Sequence, residues 1–331
     1  MRCVHLGAGR IGLGLVVPIL LRGNEVMVVD RNRAKIDAIR SSDGYTIHLE
    51  WYGEKTEERI RGFSIQGYDE YRYDADVDLI TTSVIVRNLP DVAPFIAEII
   101  GRNRRHVFIA PMENSFEAVD ILRDELLKRG IDPDAFTMLR TVLDRIVTDF
   151  DGLTQVVAEP YSRLLIQYDE RFRTTCNNTD ILSKAIIEEA EKKLFLVNGL
   201  HACAAYLGYP AGCRYISDVI ERDDLREQLR MAGACYIDYL EATLGCDRLE
   251  MEFIVDQTLK RFGNYSIKDP LERVGRNMRL KLASNERICK PMEYNRQNRL
   301  NYKALEKVVA SARKFSIGND YEEYISGLDS P

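Results

Sequence analysis

Residues 2–12 read Arg-Cys-Val-His-Leu-Gly-Ala-Gly-Arg-Ile-Gly, and they are the strongest indication of the fold in this chain. An apolar strand pattern at 2–6 runs into the spacing G-x-G-x-x-G, and an apolar helical pattern follows. Glycines at these places allow a tight turn and close approach of the backbone to a ligand, and the next helix N-terminus attracts a pyrophosphate. The stretch therefore predicts a dinucleotide-binding βα unit, with cofactor-binding residues Gly7, Gly9, Arg10, Ile11 and Gly12.

A second apolar strand, Glu25-Val26-Met27-Val28-Val29, ends at Asp30. An acidic side chain at this place accepts hydrogen bonds from both hydroxyls of a ribose. Its charge repels a 2′-phosphate, which favours NAD over NADP, whereas the nearby Arg31 and Arg33 favour the opposite choice. We therefore expect Asp30 to bind the cofactor, and we expect that cofactor to be NAD.

The pattern after Asp30 alternates between helices and strands, which is typical of a doubly wound sheet. Two further alternating stretches, 45–49 and 60–65, are joined through Trp51-Tyr52-Gly53-Glu54 and predict an inserted β-hairpin. Pro18 lies inside the first helical pattern and predicts a kink, because proline removes a backbone hydrogen bond. We predict an α/β Rossmann-like N-terminal dinucleotide-binding domain with an inserted β-hairpin over residues 1–180.

The remaining residues, 181–331, are interpreted as a mainly α-helical C-terminal domain that binds the substrate. The sequence predicts its helices at 181–206, 211–221, 223–244, 249–262 and 301–315.

The stretch 193–206, KLFLVNGLHACAAY, carries one lysine, one asparagine and one histidine in an otherwise apolar helical pattern. At about 100° per residue, Lys193, Asn198 and His201 fall within an arc of about 140° and can face one cleft. Burial disfavours the charged form of an amine, which would make Lys193 a proton acceptor near neutral pH. The alternative is structural: the lysine reaches out of a core helix, the asparagine caps a kink at Gly199, and the histidine packs in the core.

Polar groups also interrupt strand patterns at Glu113-Asn114, Asp144-Arg145 and Glu159-Pro160-Tyr161. If these groups end strands of one parallel sheet, they lie at the edge where such sheets bind ligands. Each group could instead cap a helix or bind a surface arginine.

Composition and cysteine spacing exclude several classes of protein. The 331 residues are 45% hydrophobic, a composition typical of soluble globular proteins, and the length suits two domains. No apolar run is long enough to span a membrane, and the N-terminus shows no signal-peptide pattern. We therefore expect a cytoplasmic protein. Seven scattered cysteines without a C-x-x-C pair, and only four histidines, favour metal-free chemistry. A net charge of −6 argues against a nucleic-acid partner.

Residues 268–290 reverse the charge of the chain. They hold seven basic and three acidic residues, a net of +4, against −10 for the rest. Such a segment can hold a phosphate or carboxylate through charge-assisted hydrogen bonds, or it can be a solvated helix face.

Six blocks of the chain resemble the polyol-specific long-chain dehydrogenases. They are GAGRIG at 7–12, MEN at 112–114, LDRIV at 143–147, EPY at 159–161, KLFLVNGLHACAAYLG at 193–208 and RFGNYSIKDPLERVGRNMRLKLA at 261–283. The resemblance runs from Gly7 to about Ala312. It implies a nicotinamide-binding N-terminal domain, a helical C-terminal domain and a metal-independent hydride transfer at the cleft between them.

The resemblance also implies roles for individual residues. The catalytic lysine falls on Lys193, the oxyanion-stabilising asparagines on Asn114 and Asn198, and the substrate-binding histidine on His201. The further substrate-binding residues that it implies are Asp144, Arg273 and Lys281.

We therefore expect an NAD-dependent oxidoreductase that interconverts a small anionic polyol phosphate and a ketose phosphate, mannitol 1-phosphate and fructose 6-phosphate. One alternative keeps this chemistry on an unphosphorylated polyol or a uronate-type hydroxy acid. The other is a non-catalytic NAD(H)-binding sensor, which has no need of a buried lysine beside two amides.

Overall fold

The computed structural model of the chain describes residues 1–115, 117–150 and 152–315. The chain divides into two compact units. The first comprises Met1–Glu50 and Glu54–Ile186, and the second comprises Trp51–Gly53 and the chain from Ile187 onward.

The strands of the first unit form three sheets. In chain order they are β1 Arg2–Leu6, β2 Glu25–Val29, β3 Tyr45–Trp51, β4 Glu54–Ile60, β5 Ser64–Gln66, β6 Leu79–Thr82, β7 Val107–Pro111, β8 Phe136–Met138, β9 Thr141–Asp144, β10 Val147–Phe150, β11 Gln155–Ala158, β12 Arg163–Gln167 and β13 Leu182–Ser183.

The largest sheet has six parallel strands in the order β5-β2-β1-β6-β7-β8. Every residue of β6 and β7 is buried, as expected for strands covered by helices on both faces. The strand order reverses direction between β1 and β6. In sheets of this kind, ligands bind beyond the carboxyl ends of the strands at such a switch point.

The predicted hairpin is present as β3 and β4, which are neighbours in a four-stranded sheet of order β10-β11-β3-β4. Its turn residues, Tyr52 and Gly53, have φ of 47° and 89°, the paired left-handed conformation of a tight hairpin turn. The expected second arm at 60–65 is wrong, because β4 spans 54–60 and β5 joins the parallel sheet. The pattern missed β4 because its first six residues are all exposed.

The three polar groups at strand ends do not share one sheet, and that expectation is corrected. Glu113 follows β7 of the parallel sheet, but Asp144 ends β9 in a three-stranded sheet of order β13-β12-β9. Glu159 follows β11 in the four-stranded sheet. Apolar strand patterns look alike in every sheet, so the sequence alone could not assign them.

The first helix is widened at its start, where Gly12–Val16 forms a π-helical segment that leads into α1, Val17–Leu20. Pro18 has no N–H for the carbonyls of Leu13 or Gly14, which lie five and four residues before it. The Tyr45 hydroxyl donates to the Leu13 carbonyl at 2.6 Å, and Arg145 Nη1 donates to the Gly14 carbonyl at 2.6 Å. The proline removes one backbone donor, and side chains donate to both carbonyls that its N–H could have reached.

The helices after α1 are α2 Arg33–Ser41, α3 Leu89–Arg102, α4 Ala118–Lys128, α5 Glu170–Thr175, α6 Ile186–Lys192, α7 Leu200–Gly208, α8 Ile216–Glu221, α9 Asp223–Leu244, α10 Arg248–Phe262, α11 Leu271–Gly275, α12 Met278–Lys281, α13 Cys289–Gln297 and α14 Lys303–Ala312. In the second unit, α7 packs against α9, α11 and α14, and all its residues but His201 are buried. The predicted fold class, a Rossmann-like half with an inserted hairpin followed by a helical half, is confirmed.

Within the described residues, none of the helices combines the length and the apolar character needed to cross a bilayer.

Candidate functional site

The glycine turn after β1 is packed too closely for side chains. Gly7 has a φ of 109°, and a Cβ atom there would lie 2.7 Å from the carbonyl oxygen of Ser83. A Cβ on Gly12 would lie 2.2 Å from the carbonyl oxygen of Gly7. The helix begins at Arg10, directly after the turn. A backbone shaped in this way fits the pyrophosphate of a dinucleotide, because helical N–H groups are left without intrahelical partners.

Asp30 lies at the end of β2, next to this turn. Its Oδ2 accepts a hydrogen bond from the Ala8 backbone N–H at 2.6 Å, and its Oδ1 accepts one from the Asn32 N–H at 2.7 Å. An ionised carboxylate offers about four lone-pair sites, so both oxygens retain capacity for ribose hydroxyls. The residues present therefore fit an NAD ribose beside the turn.

The two arginines after Asp30 differ in their surroundings. Arg33 forms ion pairs with Asp69 and with Glu70, the latter at 2.8 Å. Hydrogen bonds from Arg40, Gly67 and Arg33 lower the pKa of Glu70 to about 2, so this partner stays charged. Arg31 is exposed. The acidic partners of Arg33 compete with a 2′-phosphate for its guanidinium, which agrees with the expected preference for NAD.

In the second unit, residues Lys193–Gly199 form a π-helical segment between α6 and α7. The N–H of Leu200 donates to the carbonyl of Phe195, five residues earlier. Each backbone hydrogen bond of such a segment spans five residues instead of four, so the angle about the helix axis between Lys193 and Asn198 is smaller than in an α-helix. The expected α-helical spacing of 100° per residue is therefore corrected, and the widened turn brings these two side chains closer together than an α-helix would.

Two adjacent lysines lie where α6 meets this segment, and only one of them is buried. Lys192 is 4% exposed, and its Nζ lies 2.6 Å from Glu188 and 3.0 Å from Glu250. Burial alone would lower the pKa of Lys192, but these two carboxylates raise it. Lys193 is partly buried rather than fully buried, as is Asn198. Lys192 is thus held as a charged structural residue, which leaves Lys193 as the candidate proton acceptor.

Gly199 closes the π-helical segment and lets a tyrosine pack directly on it. A Cβ atom on Gly199 would lie 2.9 Å from the Tyr236 ring. The Tyr236 hydroxyl lies 3.3 Å from the Cys203 sulfur, and both groups are buried. A larger residue at position 199 would require the Tyr236 ring to shift.

His201 lies one turn beyond Asn198 in α7, and its ring stacks on Phe262 at 4.7 Å between centroids. His201 Nε2 is 3.0 Å from Oδ2 of Asp269, which is 3% exposed. Arg273 binds the other oxygen of Asp269, with Nε at 2.8 Å and an Nη at 2.6 Å. Burial raises the pKa of Asp269, but the neighbouring His201 and the guanidinium of Arg273 lower it further than burial raises it. A buried carboxylate therefore fixes two predicted substrate-binding residues together.

Lys281 ends α12, and its Nζ donates to the carbonyls of Val274 and Arg276. Burial, followed by the charges of Arg287, Arg276 and Arg273, lowers its pKa to about 7. Arg273 and Lys281 are thus close enough to interact electrostatically.

The other two predicted site residues lie in the first unit. Asn114 is exposed and follows β7, whereas Asp144 is buried at the end of β9. The remaining predicted catalytic and substrate-binding residues, Lys193, Asn198, His201, Arg273 and Lys281, all lie in the second unit.

Sequence reasoning missed Asp269 and the structural role of Lys192. Asp269 lies within the quoted block 261–283, but it is 68 positions after His201, and this separation hides their contact. Glu188 is four residues before Lys192, a helical spacing that could have indicated an ion pair. In the described part of the chain, no three histidine, cysteine, aspartate or glutamate side chains converge as metal ligands would.

Comparison with known proteins bears on both units. Residues 1–178 match the mannitol dehydrogenase Rossmann domain, and residues 189–324 match the mannitol dehydrogenase C-terminal domain. A mannitol-1-phosphate 5-dehydrogenase of Shouchella clausii (strain KSM-K16) is 29% identical, and the match covers 97% of this chain and 90% of that protein.

Two solved structures share the fold. A substrate-free D-sorbitol dehydrogenase has a TM-score of 0.77 at 13% identity, covering 94% of this chain and 79% of its own. Pseudomonas fluorescens mannitol 2-dehydrogenase, solved as a ternary complex with NAD and D-mannitol, has a TM-score of 0.71 at 13% identity, covering 100% and 84%. The family matches confirm the predicted enzyme class, an NAD-dependent dehydrogenase that acts on a secondary alcohol. The chain belongs to the mannitol dehydrogenase family.

Proposed function

We propose that this enzyme interconverts mannitol 1-phosphate and fructose 6-phosphate, with Lys193 as the general base. The similarity to mannitol-1-phosphate 5-dehydrogenase supports the substrate, as does the basic segment 268–290, which includes Arg273 and Lys281. An anionic substrate needs such a segment, because the rest of the chain carries a net charge of −10.

One observation carries the assignment of the base. Of two adjacent lysines, Lys192 is kept in its charged form by ion pairs with Glu188 and Glu250, whereas Lys193 shares a face of the π-helical segment with Asn198. A base needs an amine that can lose its proton, and two carboxylates on Lys192 oppose that loss. The amide of Asn198 can donate to the oxygen from which Lys193 takes the proton.

In the oxidation that we propose, the Nζ of neutral Lys193 accepts the proton of the substrate hydroxyl. The side-chain amides of Asn198 and Asn114 donate hydrogen bonds to the developing alkoxide, which lowers the barrier. NAD supplies the hydride acceptor at C4 of its nicotinamide. His201, held by Asp269, orients a substrate hydroxyl, and Arg273 and Lys281 bind the phosphate, while Asp144 contacts the polyol.

A substrate panel tests this proposal. Purified enzyme with NAD is given mannitol 1-phosphate, other polyol phosphates, free polyols and sugar acids at equal concentrations, and NADH absorbance is followed. We expect the highest kcat/KM with mannitol 1-phosphate, and a value lower by orders of magnitude with free mannitol, because a site built for an anion is left unpaired without it. Equal kcat/KM for free mannitol, or a higher value for a sugar acid, would refute the phosphate assignment.

A further inference from the structure

A strained residue lies beside the cofactor crevice. Ile85 has a φ of 72° and a ψ of 133°, a backbone conformation that isoleucine rarely adopts, and its side chain is 61% exposed. An exposed isoleucine side chain makes few contacts that could offset the energetic cost of such a conformation. Strain of this kind persists only where the surroundings impose it, and it is concentrated at ligand sites.

The loop that contains Ile85, Ser83–Ile85, follows β6 and lies directly against the glycine turn after β1. The Ser83 N–H donates to the Leu6 carbonyl at 2.7 Å, and the Ser83 hydroxyl donates to the Gly7 carbonyl at 3.1 Å. The loop and the turn thus flank the switch point between β1 and β6, where dinucleotides bind.

Glu113 holds the backbone that leads into the strained residue. Its Oε1 accepts from the Val84 N–H at 2.8 Å and from the Thr82 hydroxyl at 3.0 Å, and its Oε2 accepts from the Ile85 N–H at 3.0 Å. Two consecutive backbone donors are therefore held by one carboxylate. This pair of bonds fixes the peptide group between Val84 and Ile85, one of the two peptide groups that define the backbone conformation of Ile85.

His5 fixes the other end of the loop, at Ser83, through a hydrogen bond. It is fully buried, with Nδ1 2.7 Å from the Thr81 hydroxyl and Nε2 3.0 Å from the Ser83 hydroxyl. Because Ser83 donates its proton to Gly7, His5 Nε2 is the donor to Ser83 and Nδ1 accepts from Thr81. Burial lowers the pKa of His5 to about 3, so the imidazole stays neutral and keeps this arrangement.

We propose that Ile85 packs against the nicotinamide ring of bound NAD, and that Glu113 is the positioning residue that presents it there. The choice of the nicotinamide end rests on the proposed function, in which Asn114, the residue after Glu113, faces the reacting alcohol. An apolar side chain there covers one face of the ring and excludes water from it.

The test compares Ile85→Gly with Ile85→Ala by calorimetric titration with NADH and with ADP-ribose, which lacks the nicotinamide. Both variants remove the side chain, so we expect the Kd of NADH to rise about tenfold while the Kd of ADP-ribose stays within twofold. Glycine also relieves the strain, so Ile85→Gly should melt at a higher temperature than Ile85→Ala. Leu127→Ala, another exposed apolar residue of this unit, serves as the control.

The role of Glu113 is tested in the wild-type enzyme and in the Ile85→Gly variant. Glu113→Gln should weaken NADH binding in the wild-type enzyme but add little to Ile85→Gly, because it acts through Ile85. An unchanged NADH Kd in the Ile85 variants, or an equal loss of NADH and ADP-ribose, would overturn the inference. Wild-type enzyme that binds NADH but oxidises no polyol phosphate in the substrate panel would show that the proposed substrate is wrong. The inference about Ile85 would then be decided by whether the Ile85 variants raise the Kd of NADH more than the Kd of ADP-ribose.

Discussion

At the scale of single residues, Asp30 couples cofactor choice to the glycine turn. Its carboxylate accepts from the Ala8 and Asn32 N–H groups, and in the site that we propose its negative charge would face the 2′-phosphate of NADP. Serine at this position keeps an acceptor for the turn and removes the charge.

We predict that Asp30→Ser raises the ratio of kcat/KM for NADP to that for NAD by about 10- to 100-fold, which corresponds to about 1.4–2.8 kcal/mol. Initial rates with each cofactor measure this ratio. Asp37→Ser, which removes an exposed carboxylate from α2, should leave it unchanged. An unaltered ratio in Asp30→Ser would show that Asp30 does not select the cofactor.

Asp269 gives a pH dependence whose sign follows from its pKa. Because its partners lower the pKa in the folded state, Asp269 stabilises the fold above its ordinary value of about 3.9. That stabilisation is lost as the pH falls through the folded-state value. Asp269→Asn should therefore lower the free energy of unfolding by about 1–3 kcal/mol at pH 7, and by less near pH 3.

Urea unfolding of both proteins across this pH range measures the difference. Asp256→Asn, which breaks the exposed pair with Arg230, should cost under about 1 kcal/mol at any pH. A loss from Asp269→Asn that does not vary with pH would mean that the charge of Asp269 is not what stabilises the fold.

At the scale of elements, the first helix depends on a distant arginine because of Pro18. Arg145→Met removes the donor to the Gly14 carbonyl, and the unsatisfied carbonyl should cost about 1–3 kcal/mol of stability. In a Pro18→Ala background, the alanine N–H can donate a hydrogen bond to a carbonyl of the helix, so Arg145→Met should lower the free energy of unfolding by less. A double-mutant cycle by urea unfolding measures the coupling. Equal costs in both backgrounds would contradict this account of Arg145.

The elements also show how far the sequence could lead. The turn at Gly7 to Gly12 and the strand ending at Asp30 were predicted because their signals are local. The π-helical segment at 193–199 was not, because its residues have an ordinary helical pattern and widening by one residue leaves no mark on it. The burial of Lys192 depends on Glu250, which lies 58 positions away.

At the scale of the whole molecule, the charge distribution sets how the enzyme binds an anion. The basic segment works against a surrounding charge of −10, so loss of one positive charge within it should matter. Lys281, with a pKa of about 7, loses its charge as the pH rises through neutrality.

We therefore predict that the KM for the polyol phosphate rises between pH 7 and pH 9. In Lys281→Arg this rise should be absent, because arginine keeps its charge throughout that range. Steady-state kinetics at fixed ionic strength measure both profiles. If KM changes with pH in the same way in the wild-type enzyme and in Lys281→Arg, loss of the Lys281 charge is not the cause of the rise in KM.

The fold of each half was predictable because a glycine motif and long helical patterns each specify one architecture. The arrangement of the site was predictable only in part, since the contacts that separate Lys192 from Lys193, and that join His201 to Asp269, span distant positions.

The most direct test of the central claim is the kcat for oxidation of mannitol 1-phosphate by Lys193→Met beside Lys192→Met. We predict that kcat falls about 10²- to 10⁴-fold in Lys193→Met, while NADH affinity is kept. Lys192→Met should keep kcat within a few-fold and lose stability instead, since it leaves Glu188 and Glu250 without their shared lysine. A Lys193→Met enzyme that turns over at nearly the wild-type rate would contradict the account.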